Sequence, residues 1–186
     1  MPLREDNILE GSLVRLAALT EDDAVHLVRF QRNAAYSRLL DTWPARPRSK
    51  DEIVKRIKDE VERDTVYHFS IRRVDDDEFL GFAELDGIDW SHGSCGLGIG
   101  LGDPDNWGKG YGRDAMKLLL TFAFSEMNLH RVGLTVFAYN ERARALYEKM
   151  GFVHEGTQRE RLHRDGERYD MLDYGILRRE WETSAT

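Results

Sequence analysis

Gly100-Leu101-Gly102-Asp103-Pro104-Asp105-Asn106-Trp107-Gly108-Lys109-Gly110-Tyr111-Gly112 is the stretch that decides how this chain is organised. It separates two kinds of periodicity. Before it, Ser94 to Gly102 reads as a strand with Gly96, Gly98, Gly100 and Gly102 at every second position, so one face carries almost no side chains. Glycine weakens a strand and is kept where a backbone or a ligand approaches closely. After it, Gly112 to Met127 carries Ala115, Leu118, Leu119, Phe122 and Ala123 on one helical face. A glycine-rich turn that opens a long helix aims several backbone N–H groups at one place, beside the positive end of the helix dipole. That geometry suits a phosphate or pyrophosphate, and Lys109 and Arg113 add positive charge. A turn that holds no ligand is the other reading of the same glycines. Two better-known phosphate loops are excluded. A Walker A loop requires glycine where Asp103 stands and Ser or Thr where Gly110 stands; the dinucleotide fingerprint requires glycine where Arg113 stands.

Towards the N-terminus the chain has a period of two. Tyr67, Phe69 and Ile71 alternate with His68, Ser70 and Arg72, as in a half-buried strand. Asp75-Asp76-Asp77-Glu78 is a turn, Phe79 to Leu85 the returning strand of a hairpin, and Asp89 to Gly93 a turn into Ser94. Further upstream, Leu13 to Ala17 reads as a short strand. Thr20 is an N-cap followed by Glu21, Asp22 and Asp23, then by the apolar stripe Ala24, Leu27, Val28 and Phe30. Trp43-Pro44-Ala45-Arg46-Pro47 is a loop, and Ser49 caps a helix with Ile53, Ile57 and Val61 at helical spacing.

Towards the C-terminus, Arg131 to Ala138 is a strand with Val132, Leu134 and Val136 on one side. Asn140 caps a helix whose Ala143, Leu146, Tyr147 and Met150 share a face, and Gly151 ends it. A strand follows from Phe152. Asp165-Gly166 is a hairpin signal that pairs residues near Thr157–His163 with Glu167–Ile176. The order is an antiparallel meander, then strand–helix–strand–helix–strand, then a hairpin. That predicts an α/β (α+β) layer around one sheet and a single domain over residues 1–186.

Composition narrows the function classes. A formal net charge of −7 is the wrong balance for a sequence-independent nucleic-acid binder. The single cysteine, Cys95, allows no internal disulfide and suits a reducing compartment. Met1 to Asn7 lacks the apolar stretch of a signal peptide, and no apolar run approaches a membrane span, so a cytoplasmic protein with no membrane partner is expected. The histidines show no paired metal-ligand spacing, and no metal is expected.

Two motifs at a fixed separation carry a resemblance. They are the opening stretch Gly100–Gly112 and Asn140-Glu141-Arg142-Ala143-Arg144-Ala145-Leu146-Tyr147-Glu148-Lys149-Met150-Gly151-Phe152, followed by Glu155-Gly156 and the hairpin through Arg164-Asp165-Gly166. Together they resemble the GNAT superfamily of N-acetyltransferases, most of all its RimJ/RimL-like branch, from about Val66 onward. The resemblance implies a mostly antiparallel central sheet flanked by helices and splayed between the fourth strand, Ser94–Gly102, and the fifth, Arg131–Ala138. It implies acetyl-CoA in that splay, with the backbone around Ile99 and Leu101 holding the pantetheine. Trp107 and the N–H groups from Gly108 through Lys109, Gly110 and Tyr111 to Gly112, with Arg113, would hold the pyrophosphate. Asn140 would lie on the pantetheine side, and Ala143 and Arg144 near the outer parts. Branch members often dimerise, which makes a homodimer a further expectation.

The implied reaction is direct attack of a neutral amine on the thioester, which needs a base, a polarised carbonyl and a proton for the leaving thiolate. By resemblance Tyr147 is the acid; packing on the helix face is the other account of it. Many branch members carry an acidic residue where this chain has Gly96, so the base is open, and Glu84 on the neighbouring strand is the replacement. Residues from Gln31 to Arg48, with Tyr36, Trp43 and Arg46, are expected to line the acceptor pocket by family analogy. A peptide α-amine titrates near ~7.7–8.0 and a lysine-like amine near ~10.4, so a weak base leans towards an α-amine over a polyamine. The alternative to an enzyme is a non-catalytic acyl-CoA-binding regulatory module on the same fold.

Overall fold

A computed structural model describes residues 7–61 and 63–184; the N-terminal stretch Met1 to Asp6 lies outside the described residues. Seven strands form one sheet in the order β1-β2-β3-β4-β5-β7-β6. They are β1 (Val14–Ala18), β2 (Tyr67–Arg73), β3 (Phe79–Asp89), β4 (Ser94–Leu101), β5 (Arg131–Phe137), β6 (Val153–Arg164) and β7 (Glu167–Leu177). Every neighbouring pair is antiparallel except β4 and β5, which run parallel. The helices are α1 (Ala24–Gln31), α2 (Ala34–Leu40), α3 (Lys50–Val61), α4 (Tyr111–Thr121), α5 (Glu141–Lys149) and α6 (Arg178–Ser184).

Local chemistry explains most boundaries. Thr20 and Asp23 form a reciprocal capping box, which begins a 3-10 turn before α1. Ser49 and Glu52 make the same exchange ahead of α3, at 3.2 and 2.9 Å. Asp165 and Gly166 both take positive φ, 54° and 80°, the pair of left-handed residues that a two-residue hairpin turn demands. The helix expected from Gly112 to Met127 is α-helical only to Thr121; Phe122–Glu126 widens into a π turn. Helices α2 and α6 were not expected from the pattern. Asn33 starts α2 by accepting from the N–H groups of Ala35 and Tyr36.

The sheet has a core on each face. On one, α4 and α5 bury Met116, Leu119 and Leu120 against Leu80, Val132 and Ile176. On the other, α1 to α3 gather Phe30, Tyr36, Ile53 and Ile57 around Phe79. Phe79 and Leu80 are neighbours and therefore point to opposite faces. No helix among the described residues is long and apolar enough to cross a membrane.

Candidate active site

The site begins where the sheet stops closing. β4 and β5 pair only at Ser94–Gly96 with Arg131–Gly133, and beyond that they diverge. The wedge is a cavity of about 930 Å³, with Leu97 to Leu101 along one side and Thr135 to Phe137 along the other. Parallel strands that separate leave backbone N–H and C=O groups turned towards the gap, and such groups need a partner.

At one end stands the glycine turn. Gly108 and Gly110 have φ of 76° and 93°, left-handed values that a side chain makes costly, and Gly110 is the residue that caps α4. Gly108, Gly110, Gly112 and Arg113 line the cavity. The turn is braced from outside. Asp103 accepts from the Asp105 N–H at 3.0 Å, and the Trp107 indole donates to the Leu101 carbonyl at 2.9 Å. The Arg142 guanidinium lies 3.5 Å from the centre of the Trp107 ring. Lys109 and Tyr111 belong to the turn, but they are not among the residues that line the cavity.

Helix α5 forms the floor. Asn140 caps it, its side-chain oxygen accepting from the Ala143 N–H at 3.2 Å, and Asn140, Ala143, Leu146 and Tyr147 face the gap. Tyr147 is 8% exposed, and burial pushes its phenol up to about 12, so it stays protonated through the neutral range. Arg144 does not reach the cavity; it donates to the Ala138 carbonyl at 3.1 Å. Arg142 and Lys149 bring the positive charge instead, and the sequence reading missed both roles.

The other end of the cavity is built by residues far apart in the chain. Glu84 lies opposite Gly98 on β4 and opposite His68 on β2. A Cβ placed on Gly98 would fall 2.6 Å from a Glu84 carboxylate oxygen, and one on Gly96 would meet the Asp86 carboxylate. Phe82 and the Tyr36 hydroxyl similarly occupy the space beside Gly100. The bare face of the glycine strand is thus filled by its neighbours. Burial, with Asp86 adding to it, pushes the Glu84 carboxyl up to about 7. His68 sits between two acids, Nδ1 at 3.4 Å from Glu84 and Nε2 at 3.1 Å from Glu60, and burial lowers its pKa against the pull of Glu60. Tyr36 is buried, and among the described residues its hydroxyl has no hydrogen-bond partner. Trp43 lines the same mouth from a largely exposed position, as do Asp41, Arg48 and Arg56. Arg46 is engaged with Glu52 at 2.9 Å, away from this cavity.

Cys95 is buried, and its thiol is pushed up to about 12 by burial and by Asp86, which leaves little thiolate to act as a nucleophile. Among the described residues no group of three or more His, Cys, Asp or Glu is placed to hold a metal ion.

With this geometry established, comparison with known proteins gives a consistent answer. Residues 14–153 match the acetyltransferase (GNAT) domain family. The N-acetyltransferase YokL of Bacillus subtilis is 28% identical over 136 residues, 73% of this chain and 75% of that one. The spermidine N(1)-acetyltransferase of Vibrio cholerae is 31% identical over 173 residues, 90% of this chain and 94% of that one. A crystal structure of spermidine N-acetyltransferase from Vibrio cholerae, in complex with CoA and spermine, matches with a TM-score of 0.83 at 25% identity, over 91% of this chain and 98% of that one.

Proposed function

This chain belongs to the GNAT acetyltransferase family, and we propose that it moves an acetyl group from acetyl-CoA to a primary amine, either a peptide N-terminal α-amine or a small amine, by direct attack. One observation carries the reading. A single cavity joins the glycine turn at the start of α4 to a half-buried carboxylate, Glu84, with the buried phenol of Tyr147 also lining it. The Vibrio cholerae spermidine N-acetyltransferase supports the donor and the acceptor class, since it is named for amine acetylation and was solved with CoA and spermine.

The residues present fit the donor. The turn and the start of α4 offer oriented N–H groups to a pyrophosphate, and Arg113, Arg142 and Lys149 supply cations on the cavity wall. The edge of β4 that has parted from β5, from Leu97 to Leu101, offers main-chain partners to the amides of pantetheine, although the Leu101 carbonyl is already held by Trp107. When bound, acetyl-CoA supplies the acyl group as an activated thioester. Glu84 takes the proton of the attacking amine, since its carboxyl near 7 is matched to neutral pH. Tyr147 donates its phenolic proton to the departing sulfur, and Asn140 holds α5 in the position that makes this possible. The branch proposed is RimJ/RimL-like and the compartment cytoplasmic.

Release of free thiol from acetyl-CoA, followed with a panel of amines and N-terminal peptides, tests the reading. Amine-dependent release, abolished in Glu84→Gln, is the expected result. A protein that binds CoA yet releases no thiol with any amine is a binding module.

A further inference from the structure

The acceptor end is not the acidic funnel that a polycation needs. Its charged lining is Asp41 and Glu84 set against Arg48 and Arg56. Arg48 and Asp41 stand 3.9 Å apart. Arg56 gives its Nε to Glu60 at 2.7 Å, while its side chain remains 47% exposed and lines the cavity. Arg164 donates to the Asp41 main-chain carbonyl, which fixes that loop in place. Glu84 is only partly ionised at neutral pH, because burial and Asp86 hold its carboxyl near 7. Each guanidinium is matched to a carboxylate, Arg48 to Asp41 and Arg56 to Glu60, so beyond Glu84 this end holds no excess of negative charge to gather the several ammonium groups of a polyamine.

Tyr36 adds an independent observation. Among the described residues its buried hydroxyl has no hydrogen-bond partner, and it lies 3.0 Å from where a Cβ on Gly100 would be. The Glu84 carboxylate lies over Gly98, two residues along the same face, about 7 Å away by strand geometry. A buried hydroxyl left unmade costs free energy, and Tyr36 lines the cavity, so a bound molecule is the partner it lacks.

We propose that the acceptor bears a carboxylate within a few bonds of its primary amine, with the amine directed to Glu84 and Tyr36 and the carboxylate held between Arg56 and Arg48. Guanidinium groups suit this task because their planar fork matches a carboxylate. The inference rests on the acetyltransferase reading and deepens it. A peptide with an acidic residue at its N-terminus and a free acidic amino acid share the chemistry.

The test is a panel of acceptors: a tetrapeptide beginning with Asp or Glu, the same peptide with Asn or Gln, free glutamate, and spermidine. Thiol release gives kcat/KM for each, and calorimetric titration into the CoA-loaded protein gives affinity without turnover. The acidic peptide or glutamate is expected to exceed the amide peptide by roughly tenfold, with spermidine weakest. Glutamate exceeding the peptide assigns a small-molecule acceptor, and the reverse order assigns an N-terminus. Arg56→Gln and Arg48→Gln should each erase most of that preference, lowering kcat/KM for the acidic acceptor far more than for the amide peptide, with the acetyl-CoA KM unchanged. Arg48→Gln keeps the test open if Arg56→Gln fails to fold. Spermidine as the preferred acceptor, or an acid preference that survives both substitutions, overturns the proposal. Acid-selective binding with no thiol release counts against the enzyme reading alone.

Discussion

A carboxyl that titrates near 7 leaves two signatures, and Glu84 should show both. Its acid form is favoured in the fold, since the folded value of about 7 lies above the ordinary value of 4.5. The fold therefore bears no penalty below the unfolded pKa; the penalty grows as pH rises from about 4.5 to about 7 and is constant above that. Glu84→Gln removes it, so the variant should be more stable than the parent at pH 8 by on the order of 1–3 kcal/mol, and equal to it near pH 4. Denaturant melts at the two pH values measure this, and a variant that loses stability at pH 8 would refute the buried-acid account. In the rate, kcat/KM should fall below pH 7 in the parent; Glu84→Gln should lose that limb and at least ~10²-fold in activity. Tyr147 makes the complementary case. Tyr147→Phe keeps the ring that packs beside Phe152 and removes only the hydroxyl. Turnover should drop by about 10²-fold with CoA affinity nearly unchanged. Unaltered turnover would leave Tyr147 as a packing residue. The sequence named both residues, but it could not show that the Asp86 carboxylate lies where a side chain on Gly96 would be, because that depends on a side chain leaning over from the next strand.

At the scale of elements, the glycine-turn end of the cavity was more legible than the opposite end, where Tyr36, Trp43 and Glu84 were named as site residues but Arg56 and His68 were not. The turn, α4, Asn140 and α5 are contiguous motifs whose chemistry is written in short range: left-handed glycines, a cap, a helical face. The acceptor half joins α2, α3 and three strands, so that Asp41, Arg56, His68 and Glu84 meet only through cross-strand register and helix docking. The sequence pattern assigned no helix at α2, although Asn33 is a good N-cap. The legible half also yields a prediction. Gly110 has φ of 93°, and a Cβ there would come within 3.1 Å of Leu13. Gly110→Ala should cost about 1–2 kcal/mol of stability and weaken CoA binding by distorting the N–H groups of the turn. Denaturant melts and calorimetry with CoA separate the two effects. Loss of stability with unchanged CoA affinity would remove the turn from the donor site.

For the whole molecule, the sheet is two antiparallel blocks, β1–β4 and β5–β7, joined by a short parallel pairing near Gly96 and by helices packed across the seam. A wedge of this kind leaves the far ends of β4 and β5 to be bridged by whatever lies between them. A ligand that touches both walls binds the closed sheet and not the unfolded chain, so mass action turns affinity into stability. At a free concentration of CoA about 100-fold above its Kd, the gain is about 2.7 kcal/mol, which for a domain of this size raises Tm by roughly 5–11 °C. CoA should also slow amide exchange along Leu97–Leu101 and Leu134–Phe137. Adenosine diphosphate carries a pyrophosphate without the pantetheine arm, so it should reach the turn at α4 but not span the strands. It should therefore give a smaller shift in Tm and leave exchange along β5 unaltered. Equal protection of β5 by both ligands would mean that the strands close for a reason other than the arm between them, and the splay would no longer be the feature that selects the donor.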